Sequence, residues 1–354
     1  MPPSPRPVRL DVHQADGPTD PDLLEQTATR AHADRGDPVR GGLLARALGD
    51  RLPTPGTGAT GTLWEALATL GAADLTVARV VEPHLDALAI LDQAGGISAD
   101  ERAQLWGVFA AEGPPPRLEA RSTADGWLLS GRKNWCSVAT LADSALVTAW
   151  VDETRRQLFA VDLGGPGVAP VEGQQWVARG LPAVTSTGLD LHDVAATAVG
   201  EPEWYLTRAG FAWGGMGVAA IWFGATVSIA RRIAAQAQER ALDQIGQMHL
   251  GAVDAAVHAA RCVLARAAED VDQGRAEGDA GACLALRVRA VVRAAAEEVM
   301  RRADHALGPG PLVSEDEHAA RVADLHLYLR QEHAERDEAN LGRALLDTGP
   351  AELW

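Results

Sequence analysis

The chain has 354 residues, 47% hydrophobic and 23% charged, with 32 basic against 48 acidic side chains and a formal net charge of −16. That composition supplies a sizeable core, suits roughly two or three domains and excludes a wholly disordered chain. So acidic a protein is a poor non-specific binder of nucleic acid or anionic lipid, and its three scattered cysteines, Cys136, Cys262 and Cys283, form no CxxC pair and suit a reducing cytoplasm.

The N-terminus, Met1-Pro2-Pro3-Ser4-Pro5-Arg6-Pro7, carries no apolar run, so no secretory leader is expected. Roughly the first 60 residues are rich in Pro, Gly, Asp and Thr, with one helical stretch at 22–33 and a loop at 53–58. Helical patterns follow at 62–70 and 73–93. The second places Leu75, Val77, Val80, Val81, Leu85, Leu88 and Leu91 near helical spacing and ends at Gly95-Gly96. Glu82-Pro83-His84 inside it reads as a kink at Pro83. Ser98 with Glu101 reads as a capping box that starts a short helix to about 105. These elements form an N-terminal helical domain, 1–107.

The texture changes near Val108. Pro114-Pro115-Pro116 cannot lie inside a helix, and short β-like runs follow. Runs at 117–122 and 127–130 flank Ala124-Asp125-Gly126, and runs at 144–151 and 157–163 flank a second tight turn. Further short strands fit 168–171, 176–178 and 188–191. A small β-barrel or sandwich is therefore expected over 108–204. From 205 to 354 the chain is helical again, at about 212–247, 252–273, 281–306 and 314–346, which reads as an antiparallel four-helix bundle. The uncharged run 209–230 is long enough to span a bilayer. Its glycines at 210, 214, 215, 217 and 224 make it only weakly apolar, so a buried bundle helix is expected and no membrane span.

The residues that point to chemistry lie in the β segment. Gly131-Arg132-Lys133-Asn134-Trp135-Cys136-Ser137-Val138-Ala139, followed by Ala142-Asp143-Ser144-Ala145-Leu146-Val147, resembles the middle-domain signature of the acyl-CoA dehydrogenase superfamily. The helical, β, helical order matches that family's architecture, so the resemblance implies an α+β, acyl-CoA dehydrogenase-like fold. It further implies that Trp135 packs on a flavin and that the Ser137 hydroxyl bonds near flavin N5. Glu239-Arg240 resembles the family's E-R, whose arginine serves the FAD diphosphate. Leu307-Gly308-Pro309-Gly310 stands where a G-G-x-G turn touches FAD across a subunit interface, which gives Gly308 and Gly310 as further cofactor contacts.

Arg321-Val322-Ala323-Asp324 resembles the family's R-x-x-D, and Glu332, eight residues past Asp324, stands where the catalytic base would be. The implied function is an FAD-dependent α,β-dehydrogenation of an acyl thioester. A carboxylate desolvated by substrate and flavin takes the Cα proton while hydride leaves Cβ. Acyl-CoA or a related small molecule is the implied substrate, an electron-transfer flavoprotein a possible acceptor, and a homodimer or homotetramer the implied assembly. Without the resemblance, Trp135 is a core residue of a hairpin and Glu332 belongs to a charged helix face with Glu335, Arg336 and Asp337.

Two departures keep alternatives open. Val108-Phe109-Ala110-Ala111-Glu112-Gly113-Pro114-Pro115 replaces the family's flavin-binding T-E-P-x-x-G-S-D and carries no hydroxyl, and Ala334 replaces the threonine after the base. A same-fold flavin monooxygenase or oxidase, which needs no glutamate, is one alternative; a flavin-free member serving as a binding or partner subunit is the other. Glu315 and His318 form half of a di-iron E-x-x-H pair with no second half, and Ser314 with Glu317 reads as a capping box, so no metal is expected.

Overall fold

The computed structural model describes residues 5–10, 21–239 and 241–348. Helices form where apolar residues recur at three- and four-residue spacing: α1 (Pro21–Ala33), α2 (Pro38–Gly49), α3 (Thr60–Ala73), α4 (Leu75–Ala94) and α5 (Ala99–Ala103). Asp37 caps α2 by accepting from the Val39 and Arg40 amides, and Asp74 caps α4 by accepting from Val77. Ser98 and Glu101 make the expected reciprocal box on α5. Helix α2, hidden in the sequence by Pro38 and Gly41-Gly42, turns those glycines toward Val77, Val80 and Leu105. Helix α4 runs on through Pro83.

The strands are β1 (Trp106–Phe109), β2 (Glu119–Thr123), β3 (Gly126–Lys133), β4 (Ser144–Trp150), β5 (Arg156–Asp162), β6 (Val168–Pro170) and β7 (Leu189–Val199). The ring β4-β2-β3-β7-β5 closes through β5 on β4, with β1 outside on β4 and β6 on β7, so the sheet is a small barrel. Phe109, Leu129, Val147, Phe159, Leu191 and Val194 fill its interior. The strand expected at 176–178 does not form. That segment belongs to a loop in which Trp176 Nε1 donates to the Leu181 carbonyl, and the loop is tied to the helices instead: Asp324 accepts from the Leu181 amide at 2.5 Å.

The remaining elements are α6 (Trp204–Thr207), α7 (Ala209–Glu239), α8 (Gln244–Asp272), α9 (Gly278–Leu307), α10 (Gly310–Ser314), α11 (Asp316–Tyr328), a 3-10 turn at Leu329–Gln331 and α12 (Glu335–Thr348). Two expected helices are broken. The one over 212–247 ends at Glu239, and Asp243 caps a new helix by accepting from the Gly246 amide at 2.8 Å. The one over 314–346 divides because the Ser314 hydroxyl donates back to Gly310 instead of capping, and because Ala334 takes a left-handed φ of 47°. The bundle thus has three long helices and a divided fourth.

Helix α7 is long and apolar enough to cross a membrane, yet 72% of its most apolar window is buried in the protein. Its glycines serve packing. A Cβ on Gly224 would lie 1.8 Å from the Ala68 carbonyl oxygen, and one on Gly71 2.2 Å from that of Ile221, so α3 and α7 meet backbone to backbone. Trp64 and Leu67 of α3 share one core with Ile221, Trp222 and Phe223 of α7 and Val288 and Val292 of α9. Helices from both ends of the chain therefore make one body. The barrel packs on its side through Leu88, Ile90, Trp106, Leu146, Leu158 and Tyr205.

Candidate functional site

After β3 the backbone makes an unusual turn. Trp135 has φ 61° and Val138 φ 54°, a left-handed conformation that disfavours a side-chain-bearing residue by about 1–2 kcal/mol. The turn is fixed from beneath. The Cys136 and Val138 amides donate to Thr187 and Thr185, and Lys133 Nζ donates to Glu112 Oε1 (2.9 Å) and to the Thr148 carbonyl and hydroxyl (3.0 and 2.8 Å). Burial holds the Lys133 ammonium below the ordinary lysine range, against the opposing pull of Glu112. Cys136, Ser137 and Val138 are buried, whereas Trp135 stands 56% exposed. An indole held outward at an energetic cost is a surface shaped for something to cover it.

Beside it the barrel meets the helices through polar groups. The Ser137 Oγ lies 2.8 Å from Ser186 Oγ and accepts from Arg79 Nη2 at 3.2 Å. Arg79 also donates to Glu82 Oε2 at 3.0 Å, and its guanidinium sits 5.5 Å from the Tyr328 ring centre. Tyr328 meets Trp222 edge-on at 6.2 Å, and Arg289 stacks over Trp222 at 4.7 Å while donating to the Gly215 and Gln331 carbonyls. Tyr328 Oη and Trp222 Nε1 are buried without a hydrogen-bond partner among the described residues, an expensive state that a bound polar group would relieve. Burial pushes the Glu82 carboxyl up to about 7, with Arg79 pulling it down and Asp86 adding to the rise. Burial likewise raises Asp86, which Arg208 approaches to 3.6 Å. Both carboxylates border a 30 Å³ slot walled by Trp64, Leu67, Trp213 and Gly217.

Of the residues singled out from the sequence, Trp135 and Ser137 come together here. Glu332 lies off the charged face expected for it without the resemblance: it is 2% exposed and pairs with Arg293 Nε at 2.5 Å. Burial raises its carboxyl, and Arg293 and then Arg289 oppose that rise. Arg289, which feels both Glu332 and Glu82, links it electrostatically to the Ser137 cluster. Gly308 ends α9 with φ 67°, and Gly310 opens α10, about 28 Å along the α9 axis from Arg289. They stand apart from the wall within one chain. Next to Gly308 lies a 280 Å³ cavity lined by Gln236, Asp243, His249, His305 and Leu307, with the two imidazoles edge-to-face at 6.0 Å. Arg240 lies outside the described residues.

A flavin ring needs an aromatic face to stack on and hydrogen-bond groups at its polar edge. Trp135 supplies the face, Ser137 a hydroxyl, and the unpartnered Tyr328 Oη and Trp222 Nε1 lie in the cluster behind it, so the residues of this wall fit such a group. The 110–113 loop fits it less well: the Glu112 carboxylate turns inward to Lys133, Thr148, Trp150 and Arg156. Among the described residues no group of three or more His, Cys, Asp or Glu is placed to hold a metal ion. Glu315 of the E-x-x-H half-motif is spent on Arg232, at 2.7 and 2.8 Å.

Arg79, Ser186, Trp222, Arg289 and Tyr328 were not singled out from the sequence, and Glu82 was noted only as part of the Glu82-Pro83-His84 kink. One signal was there for α4. Arg79, Glu82 and Asp86 stand at i, i+3 and i+7, a charged stripe along a helix whose other residues are largely apolar.

No protein-family model and no curated protein matches the sequence. Among solved structures, the chain is similar to the dibenzothiophene monooxygenase TdsC from Paenibacillus sp. A11-2, seen with FMN and indole, at 16% identity and TM-score 0.75, covering 92% of this chain and 96% of that one. It is similar to a nitrososynthase from Micromonospora carbonacea var. africana at 17% identity and TM-score 0.75, covering 96% and 99%. Butyryl-CoA dehydrogenase from Megasphaera elsdenii gives 18% identity and TM-score 0.73, covering 93% and 90%. The protein has the acyl-CoA dehydrogenase-like fold.

Proposed function

We propose that the protein is a flavin-dependent oxidoreductase that holds the flavin ring against Trp135 and Ser137, with the α4, α7 and α11 cluster backing that wall. The single observation that carries this reading is Trp135, an exposed indole in a left-handed backbone beside a buried serine hydroxyl. The flavin, when bound, supplies the redox chemistry. The chain supplies the rest. Trp135 stacks, Ser137 hydrogen-bonds, and Tyr328 and Trp222 exclude water while offering hydrogen-bond capacity. Glu82, with its carboxyl near 7, is suited to hold or pass a proton at neutral pH.

The polarity of the interior favours oxidase or monooxygenase chemistry on a polar substrate over dehydrogenation of a long acyl chain. An acyl tail seeks apolar walls, and the α4 face carries Arg79, Glu82 and Asp86. One observation favours the second reading, α,β-dehydrogenation of an acyl thioester with an electron-transfer flavoprotein as acceptor. Glu332 is a buried carboxylate with a raised pKa at the expected place of the base, and would serve once freed from Arg293. A dinucleotide tail would extend toward the Gly308–Gly310 turn of a second copy, which makes FAD the natural form in a homodimer and FMN sufficient in a monomer.

The test is to offer FMN and FAD to the purified protein, record the visible spectrum, and mix the loaded protein anaerobically with butyryl-CoA. The expected result is flavin retained on gel filtration and no bleaching by the thioester. Bleaching would install the dehydrogenase reading, and a folded protein that retains neither flavin would remove the proposal.

A further inference from the structure

The wall contains a cation that nothing in the resemblance assigns. Arg79, on α4, is 13% exposed and reaches across the junction of helices and barrel to give a hydrogen bond to Ser137 Oγ. Hydroxyl bookkeeping makes this contact informative. A serine has one proton to donate and two lone pairs to accept with. One lone pair of Ser137 takes the Arg79 proton, and Ser186 Oγ, 2.8 Å away, either donates to Ser137 or accepts from it. Ser186 is also within 3.3 Å of the Val184 carbonyl, so its own proton has a second destination. When Ser186 donates to Ser137, both lone pairs of Ser137 are filled and its proton is left to point at whatever rests on the wall. A hydroxyl that accepts from a guanidinium is a stronger donor than a free one, because hydrogen bonds in a chain polarise one another.

The charge is also held in check. Glu82 binds Arg79 at 3.0 Å, the Tyr328 ring face lies 5.5 Å from the guanidinium, and Arg289 is the next cation. We propose that Arg79 is a positioning residue that, through Ser137, places positive potential at the polar edge of the bound flavin and so favours its reduced, electron-rich form, with Glu82 as the counter-charge that limits the effect. This rests on the flavin reading above. It names the residue that sets the redox poise of that site, and no bond is made or broken by it.

The experiment measures the flavin midpoint potential of the loaded protein by dye equilibration, for wild type, Arg79→Met, Arg79→Lys and Glu82→Gln, with the flavin affinity of each. An opposite charge within about 4–6 Å moves an ionisation equilibrium by one to three powers of ten. The expected result is therefore a loss of about ten-fold or more in the preference for reduced over oxidised flavin in Arg79→Met. Arg79→Lys keeps the charge and should recover most of it, and Glu82→Gln should move the potential in the opposite direction. A merely structural role for Arg79 would weaken binding without this ordered, opposite-signed pattern. Flavin bound by every variant at one unchanged potential overturns the inference and leaves the flavin reading standing. Wild type that binds no flavin overturns both. Should Arg79→Met fail to fold, Glu82→Gln decides alone: a raised potential supports the inference, and an unchanged one overturns it.

Discussion

The two ends of the polar interior differ in how they treat their own charges. At the Glu332 end the chain supplies its own counter-charge. The carboxylate is buried, paired with Arg293, and Arg293 in turn meets Glu297 and Glu338. At the Trp135 end the chain is incomplete by itself. Its indole faces outward in a costly backbone conformation, and the cluster behind Ser137 leaves Tyr328 Oη and Trp222 Nε1 without partners among the described residues. Neither end makes all its buried hydrogen bonds among the described residues, but Glu332 and Arg293 answer each other's charge, whereas Tyr328 Oη and Trp222 Nε1 lie beside an exposed aromatic, where a ligand's polar groups would satisfy them. The comparison teaches that the Trp135 wall is left unfinished by the chain's own side chains, while Glu332 is tied by Arg293 to α9.

The comparison breaks most visibly at Arg293. Removing one partner of a buried ion pair leaves the other charge stranded, at about 3–5 kcal/mol. Arg293→Met should lose about that much in urea unfolding, and Arg293→Met with Glu332→Gln should recover most of it. If the single variant is as stable as wild type, Glu332 is not committed to structure and returns as a free base.

A smaller effect of opposite sign is expected at the wall. Trp135→Gly relieves a left-handed side chain and should gain about 1 kcal/mol of stability. A loss would mean that the indole serves the core despite its exposure. The smallest effect is a change of slope. Glu82 is raised from 4.5 to about 7, so the folded chain binds more protons than the unfolded across that window, and stability falls as pH rises through it. His84, buried two residues on, is lowered from 6.5 to about 4, so its contribution is present above 6.5 and is lost as pH falls toward 4. Glu82→Gln removes the first term only. Its unfolding midpoint should therefore climb more steeply between pH 4.5 and 6.5 than that of wild type. Parallel profiles would show that Glu82 titrates normally.

Much of this was legible in the sequence, for reasons that differ by region. The helical, β, helical order followed from periodicity and turn residues, since Leu75 to Leu91 keep helical spacing and Ala124-Asp125-Gly126 announces a hairpin. Trp135 and Ser137 were legible because a strand-bound motif keeps its residues adjacent in space. The breaks at 241–243 and 332–334 were not, because alanine-rich and charged stretches suit helix on either side and the break depends on Asp243 finding the Gly246 amide and on the left-handed Ala334. The polar cluster was least legible. Arg79, Ser186, Trp222, Arg289 and Tyr328 come from five elements or loops, and no local pattern reports that Arg79 crosses to Ser137 or that Arg293 claims Glu332.

The most direct test of the account is a calorimetric titration of the flavin-free protein with FMN and with FAD, wild type beside Trp135→Ala. Aromatic stacking is worth about 0.5–1.5 kcal/mol beyond area burial, and 1.4 kcal/mol is ten-fold in affinity. The account predicts one flavin per chain for wild type and binding weakened by about ten-fold in a variant that stays folded. Folded wild type giving no heat with either flavin, or a variant that binds as tightly as wild type, would contradict it.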